Sequence, residues 1–421
     1  MDEAPLEATQ LENKMIHFEE AIEKILKNAH RLLTTSVSLS ESLGYVLAKK
    51  IKARTPIPRF DSSAVDGYAV RCEDLQKVSN KNPKLLPIIG TVKAGDIVIP
   101  ILRKGFAIKI FTGACVPQNA NAIVMQEYAE EKNHAVSISR KVEKGENIRR
   151  RGKEFKKGEI VIERGKLITP PVVGMLASMG YSKVRVYKKP NIGLIVTGNE
   201  LRSLGVKLQN GEIYDSNSFA LTAVLHSLGI NPVIERRTKD NKRSIKTALE
   251  EAIKLSEVVI SVGGVSVGEY DFVKEILNEL GVKKIFWKVA IKPGKPNYFG
   301  IYRKKLIFGL PGNPVAAMIS YNQLVMPALG KMMGLGNKKS SRIKAKLSTS
   351  LKKKTARLEF VRGIVSQNRI GGLIVTPTKG QDSHMLGGLA KANCLINFPM
   401  EAYKMSKGKK VTVSLLNWNM F

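Results

Sequence analysis

Cysteine is scarce in this chain: three in 421 residues (Cys72, Cys115, Cys394), widely spaced and never as CxxC. That excludes a disulfide scaffold and argues against a zinc ribbon. Histidine is also rare, at five, which argues against a histidine-rich metal site. No apolar run approaches the ~18 residues of a membrane-spanning helix. The longest, such as 192–196 and 258–262, are strand-sized. The opening MDEAPLEATQ is acidic and lacks the apolar centre of a secretion signal. The expected setting is therefore a reducing cytoplasm, with no membrane partner. Acidic side chains are the other shortage: 36 Asp and Glu face 69 Lys and Arg, a formal charge of +33. Over residues 331–421 the ratio is 18 basic to 3 acidic. Such an excess suits anionic partners. No RNP sequence, zinc finger or basic zipper accompanies it, so it reads as lysine-rich solvated faces rather than a nucleic-acid surface.

What is present is material for folded domains: 43% hydrophobic and 25% charged residues. Residues 1–14 read as a loose acidic tail, 15–33 as an amphipathic helix, and 39–48 as a second helix. Two prolines keep 55–60 extended, at the entry to a β-rich module over 55–160. Thr169 is placed to cap a helix starting at Pro170. From Pro190 strands and helices alternate. Strands are expected at 192–197, 232–236, 257–262, 284–291 and 306–310, with helices at 218–228, 241–255, 272–280 and 314–329. Alternation of this kind predicts a doubly wound parallel sheet. After Lys338 the pattern returns to short strands, a small β domain. The fold class is α/β plus β.

In open α/β sheets ligands bind beyond the carboxyl ends of the strands. The loops expected there hold Glu200, Asp215, Asp240 and Asp271, the glycines of Gly263-Gly-Val-Ser-Val-Gly268, Lys292-Pro-Gly-Lys295, and Pro311-Gly-Asn313. Glycine N–H groups before a helix suit an anion. Three or four carboxylates beside phosphate suit Mg²⁺. Two ammonium groups on a proline-stiffened turn suit a tetrahedral oxyanion. Simpler accounts stand beside these: tight turns for the glycines, and helix caps for Asp215, Asp240, Asp271 and Asn313. Outside the sheet, Asp66-Gly67 reads as a turn with Asp66 at its tip, and Arg149-Arg150-Arg151 as either a phosphate contact or a solvated edge.

Eight strings now stand in order: FDSSAVDGYAV, TGACVPQNANAIVMQE, NIRRRGKEF, IVTGNEL, YDSN, SVGGVSVGEYD, KVAIKPGKP and GLPGNPVAA. Together they resemble the molybdopterin molybdenumtransferase family, the molybdenum-insertion enzymes related to the E domain of gephyrin. The similarity runs from residue 15 to 415. It implies an elongated homodimer of four-domain subunits. The first domain would be discontinuous (15–54 and 159–187), with a β-rich insertion at 55–158. A molybdopterin-binding α/β domain (188–335) and a β-barrel-like C-terminal domain (340–421) would follow.

The resemblance further implies an active site shared between subunits. There adenylylated molybdopterin, Mg²⁺ and molybdate would give molybdenum cofactor and AMP, the adenylate coming from a partner adenylyltransferase. It places catalytic roles on Asp66, Glu154, Glu200, Asp240 and Asp271, and the metal on Glu200, Asp240 and Asp271. Substrate contacts fall to Thr112, Arg149, Arg150, Arg151, Asp215, Gly263, Gly264, Ser266, Gly268, Pro311, Gly312 and Asn313. Molybdate contacts fall to Lys292, Lys295, Arg357 and Ser383. The chain departs from the pattern at Cys115, Lys153-Glu154, Asn199, Ala316 and Asp382. A scaffold role of the gephyrin type, or an inactive anion- or nucleic-acid-binding paralogue, is the alternative.

Overall fold

Phe18, Ala21 and Ile25 share one face, and helix α1 (Phe18–Asn28) forms on it, shorter than the expected 15–33. The structure is a computed structural model describing residues 15–265, 272–336, 342–369, 371–416 and 418; the expected acidic tail lies outside them. The buried face of α1 joins the α/β core, where the Phe18 ring meets Phe360 edge-on at 5.3 Å. The expected helix at 39–48 does not form. Strand β1 (Thr34–Ser38) leads into a turn, with Gly44 in the left-handed region, and Val46 and Leu47 bridge to Leu167 and Val186. Partners distant in sequence override a local helical pattern here. The core that holds Leu47 and Val186 also includes Leu176 of α2 (Pro170–Ser178). That helix starts at Pro170 as expected, but the Thr169 side chain makes no cap bond.

The inserted β-rich module is a six-stranded sheet. Its strands are β2 (Gly67–Val70), β3 (Lys84–Val92), β4 (Ala107–Ile110), β5 (Ala122–Met125), β6 (Ala129–Lys132) and β7 (Ala135–Ile138), in the order β5-β2-β4-β3-β7-β6. Asp66-Gly67 is not a turn tip, because Gly67 opens β2 between Ile110 and Met125. What requires glycine is close approach: a Cβ there would sit 1.9 Å from the Val124 carbonyl oxygen. After α2, strand β8 (Lys183–Tyr187) returns to pair antiparallel with β1.

The α/β domain contains β9 (Ile192–Thr197), α3 (Ser216–Ser227), β10 (Ile234–Thr238), α4 (Lys242–Leu255), β11 (Val258–Val262), α5 (Val273–Glu279), β12 (Lys283–Trp287), β13 (Ile291–Lys292), β14 (Tyr298–Tyr302) and β15 (Lys305–Leu310). The sheet order is β10-β9-β11-β15-β14-β12. The first four strands are parallel, as alternation demands, while β14 runs antiparallel to both of its neighbours, β15 and β12. The sheet is therefore mixed, where the sequence pattern suggested parallel throughout. The expected strand at 284–291 is two elements, and β14 is additional. Tyr298–Tyr302 reads straight back from Lys305–Leu310, so the pair closes as a hairpin.

The expected helix at 314–329 is interrupted. α6 (Pro314–Ser320) widens to a π-helical turn at Tyr321–Val325 before α7 (Met326–Met332). Pro327 lies one residue into α7 and has no N–H to donate. The wider turn fits a proline that would otherwise clash with the carbonyl of the preceding turn.

The C-terminal domain closes on itself. β16 (Arg342–Leu347), β17 (Leu358–Gln367), β18 (Leu373–Pro377), β19 (Cys394–Phe398) and β20 (Lys410–Leu415) run β17-β18-β16-β20-β19, and β19 pairs back to β17. That makes a five-stranded barrel, leaving no free edge. A short helix, α8 (Leu386–Ala390), is added to it. β13 of the α/β domain runs parallel to β17, Ile291 beside Leu358 and Lys292 beside Glu359, so the two domains share a seam. All three cysteines are unpaired, and burial pushes the Cys394 thiol up to about 12.

Candidate functional site

Parallel register sets the carboxyl ends of β9, β11 and β15 side by side: Val196 lies beside Val262, and Val262 beside Leu310. β10 lies on one side of β9 and β11 on the other, so the chain reverses direction of winding here. A crevice opens at such a point. It is a cleft of about 560 Å³ lined by Thr197, Gly198, Glu200, Leu201, Ile213, Tyr214, Ser216, Asn217, Asp240, Gly263, Gly264, Val265, Pro296, Pro311, Gly312, Asn313, Pro314 and His384.

Seven of the sequence-predicted residues are thus brought together: Glu200, Asp240, Gly263, Gly264, Pro311, Gly312 and Asn313. Asp240 is not the helix cap; Asn241 caps α4 by accepting from the Ser244 N–H at 2.8 Å. Asp240 is free for another task and is held by a reciprocal pair. Its Oδ2 accepts from the Asn199 N–H, and Asn199 Oδ1 accepts from the Asp240 N–H, both at 3.1 Å. The departure at Asn199 therefore supplies an acceptor oxygen, as an aspartate would. Asp215 takes the other course. It is buried, caps α3 through the Ser218 N–H and hydroxyl, and does not line the cleft. Ser266, Gly268 and Asp271 lie outside the described residues.

Gly263 and Gly264 serve the turn and the cleft at once. Both have positive φ, +88° and +65°. A Cβ on Gly263 would meet the Thr197 carbonyl oxygen at 2.8 Å, and one on Gly264 would meet Val273 at 2.7 Å. Two further groups point to a polar occupant. Among the described residues the Thr197 hydroxyl and Asn217 Oδ1 are buried and without a hydrogen-bond partner, although Asn217 donates to the Gly312 carbonyl at 2.7 Å. Buried polar atoms are nearly always satisfied, so such orphans commonly mark water, ion or ligand positions.

The residues expected to hold an oxyanion lie on the seam. Lys292 Nζ is 3.1 Å from Glu359 Oε1, Thr355 donates to the same oxygen, and Arg357 donates to the Ile291 carbonyl at 3.2 Å. Lys295 is fixed through its carbonyl, which accepts from Val289 and Asn297. The Ser383 hydroxyl accepts from Asn313 Nδ2 at 2.9 Å, which couples the barrel to the cleft. The neighbouring Asp382 turns its carbonyl to Arg362, and its side chain is exposed.

Asp66, Thr112, Glu154 and Arg149–Arg151 belong to the inserted module, and none lines the cleft. Asp66 Oδ1 accepts from the Thr112 N–H at 2.7 Å and its hydroxyl at 2.8 Å. These two bonds hold the exposed carboxyl below the usual aspartate value, so it stays ionised. The triple arginine is not a free anion cradle. Arg150 pairs with Asp61 at 2.7 Å, and the Arg151 N–H donates to the same carboxylate.

Sequence reasoning missed Asn217, Tyr214 and His384 of the cleft, and Glu359 and Arg362 of the barrel. Within YDSN the sequence singles out only Asp215. The others carry no local signal, since they matter through pairings between distant segments.

A doubly wound α/β domain with a ligand cleft at its switch edge, joined to a closed barrel and a β-rich insertion, defines the class of protein. Three family models cover the chain in order: the MoeA N-terminal region (domain I and II) over 16–180, a probable molybdopterin binding domain over 193–331, and the MoeA C-terminal region (domain IV) over 344–416. A Haemophilus influenzae molybdopterin molybdenumtransferase is 36% identical over 386 residues, 91% of this chain and 94% of that one. A Staphylococcus epidermidis molybdopterin molybdenumtransferase is 34% identical over 406 residues, 96% and 97% of the two chains. The solved molybdopterin biosynthesis moeA protein of Pyrococcus horikoshii superimposes with a TM-score of 0.80 at 31% identity, covering 96% of this chain and all of that one. The chain belongs to the molybdopterin molybdenumtransferase family. It is an enzyme, a transferase of molybdenum cofactor biosynthesis.

Proposed function

We propose that the chain transfers molybdenum from molybdate to adenylylated molybdopterin with hydrolysis of the adenylate and release of AMP. The observation that carries this reading is the cleft. Two carboxylates with no basic partner among the described residues, Glu200 and Asp240, face glycine loops whose N–H groups suit phosphate oxygens. Among the described residues no three His, Cys, Asp or Glu gather as a metal cage. Two carboxylates plus substrate oxygens are a donor set that suits Mg²⁺. Glu200 and Asp240 would hold that ion, which would neutralise phosphate charge.

The chain's own residues divide the remaining work. Gly263, Gly264 and Gly312 orient phosphate through the backbone. Lys292, Lys295, Arg357 and Ser383 receive molybdate as a tetrahedral oxyanion at the seam, with ammonium, guanidinium and hydroxyl donors. Glu359 holds the Lys292 ammonium until the oxyanion arrives. Asp66 and Thr112 reach the cleft of a second subunit in a homodimer, bringing an ionised carboxylate to position the attacking water. Two features support that arrangement. Asp66 is half-buried and does not line its own chain's cleft. In the loop that follows β3, Ile97 and Val98 are 94% and 87% exposed, an apolar surface suited to burial against a second copy. The adenylyltransferase that makes the substrate is the expected supplying partner, and the cytoplasm the expected setting.

Subunit mixing tests this division. Asp66→Asn and Asp240→Asn proteins are each expected to be nearly inactive. Mixed and allowed to exchange, they should recover about a quarter of wild-type activity, because half the dimers then carry one intact composite site. No recovery despite demonstrated exchange would place both residues in the same subunit's site and refute the shared cleft.

A further inference from the structure

The acidic and basic side chains among the described lining of the cleft are Glu200, Asp240 and His384. Two are acidic. A phosphate-bearing substrate brings more negative charge to the same space, and His384 is the only side chain in that lining able to carry positive charge. It comes from the barrel, remote in sequence from the α/β loops it faces.

Its position is fixed from both sides. Arg362 is buried at 1% exposure and donates to the Gly380 carbonyl at 2.8 Å and the Asp382 carbonyl at 3.1 Å. These bonds tie the loop to the barrel wall. On the other side, Asn313 donates to the Ser383 hydroxyl at 2.9 Å and the Val315 N–H to the Ser383 carbonyl at 3.1 Å, which tie it to the start of α6. The next residue, His384, is exposed, and among the described residues its imidazole has no hydrogen-bond or ionic partner. A loop bolted at its neighbours with an unengaged donor over a cleft is preorganised for a ligand rather than for the fold.

We infer that His384 is a specificity-determining contact that binds the phosphate of the adenylylated substrate from the barrel side of the cleft. This rests on reading the cleft as the nucleotide-phosphate site. The imidazole N–H donates to a phosphate oxygen opposite the Gly263–Gly264 and Gly312 amides, so that the phosphate is gripped from two domains. Ser383 next to it belongs to the oxyanion site, so the same loop couples phosphate and oxyanion binding.

The test is isothermal titration with AMP and with adenosine in Mg²⁺ buffer, on wild type, His384→Ala, His384→Gln and Gly312→Val. Valine at 312 needs no strained backbone, since its Cβ would meet only the Gly263 Cα at 3.6 Å, and its branches would enter the cleft. The expected result is that His384→Ala weakens AMP about tenfold and adenosine hardly at all. His384→Gln, which keeps a donor, should fall between, and Gly312→Val should lose both ligands. An unchanged AMP-to-adenosine ratio in His384→Ala, or a parallel loss of both, alongside loss in Gly312→Val, overturns the His384 contact and leaves the cleft assignment standing. Absence of AMP binding to wild type, or binding untouched by Gly312→Val, overturns the cleft assignment and this contact with it.

Discussion

Asp240→Asn is expected to slow AMP release by about a hundredfold or more while leaving the melting temperature unchanged. Asp240 is held by the reciprocal bonds with Asn199. An asparagine at 240 keeps the acceptor for the Asn199 N–H and the backbone donor for Asn199 Oδ1, so the loop holds its shape. What it loses is the charge. Mg²⁺ binds through one or two carboxylates, and the described residues of the cleft offer two. Removing one should raise the Mg²⁺ concentration for half-maximal rate, and excess Mg²⁺ should recover part of the loss. A Mg²⁺ titration of both proteins checks this. A rate loss accompanied by a lower melting temperature would mean that Asp240 serves the fold instead.

Gly67→Ala carries the largest expected cost to stability, about 3 kcal/mol. The new Cβ would stand 1.9 Å from the Val124 carbonyl oxygen and 2.9 Å from its carbon. Both are backbone atoms of β5, the strand paired with β2 at one edge of the inserted sheet, so neither can swing aside as a side chain would. Asp66 precedes this position, so activity should fall with stability. Gly174→Ala is the matched control. It lies in α2 with nothing within 4 Å of its would-be Cβ, and alanine there should stabilise by about 0.5–1 kcal/mol. Urea unfolding of the two variants gives both numbers. Equal midpoints would contradict the close-approach account of Gly67.

The comparison between these glycines indicates what a sequence reveals. The doublet Asp66-Gly67 carries a turn signal, but the actual demand on Gly67 comes from a strand more than fifty residues away. Periodicity located α4 and the parallel strands β9, β11 and β15 because their apolar patterns are local. It failed at 39–48, where Val46 and Leu47 answer to Leu167 and Val186 rather than to each other. The site divides in the same way. Gly263, Gly264, Glu200 and Asp240 were legible because strand-end loops converge by topology. His384 was not, because it reaches the cleft through a barrel loop whose placement depends on Arg362, Asn313 and the β13–β17 pairing. Lys292 was legible as a displayed cation. Its partner Glu359 was not, since only the parallel register of β13 and β17 puts them side by side.

The central claim is that the cleft turns over adenylylated molybdopterin in the presence of molybdate. The most direct measurement is AMP release by the wild-type protein from adenylylated molybdopterin with Mg²⁺, with and without molybdate. The account predicts AMP release that depends on molybdate, with molybdenum recovered on the pterin. A folded protein that binds the substrate yet releases no AMP under either condition would contradict it.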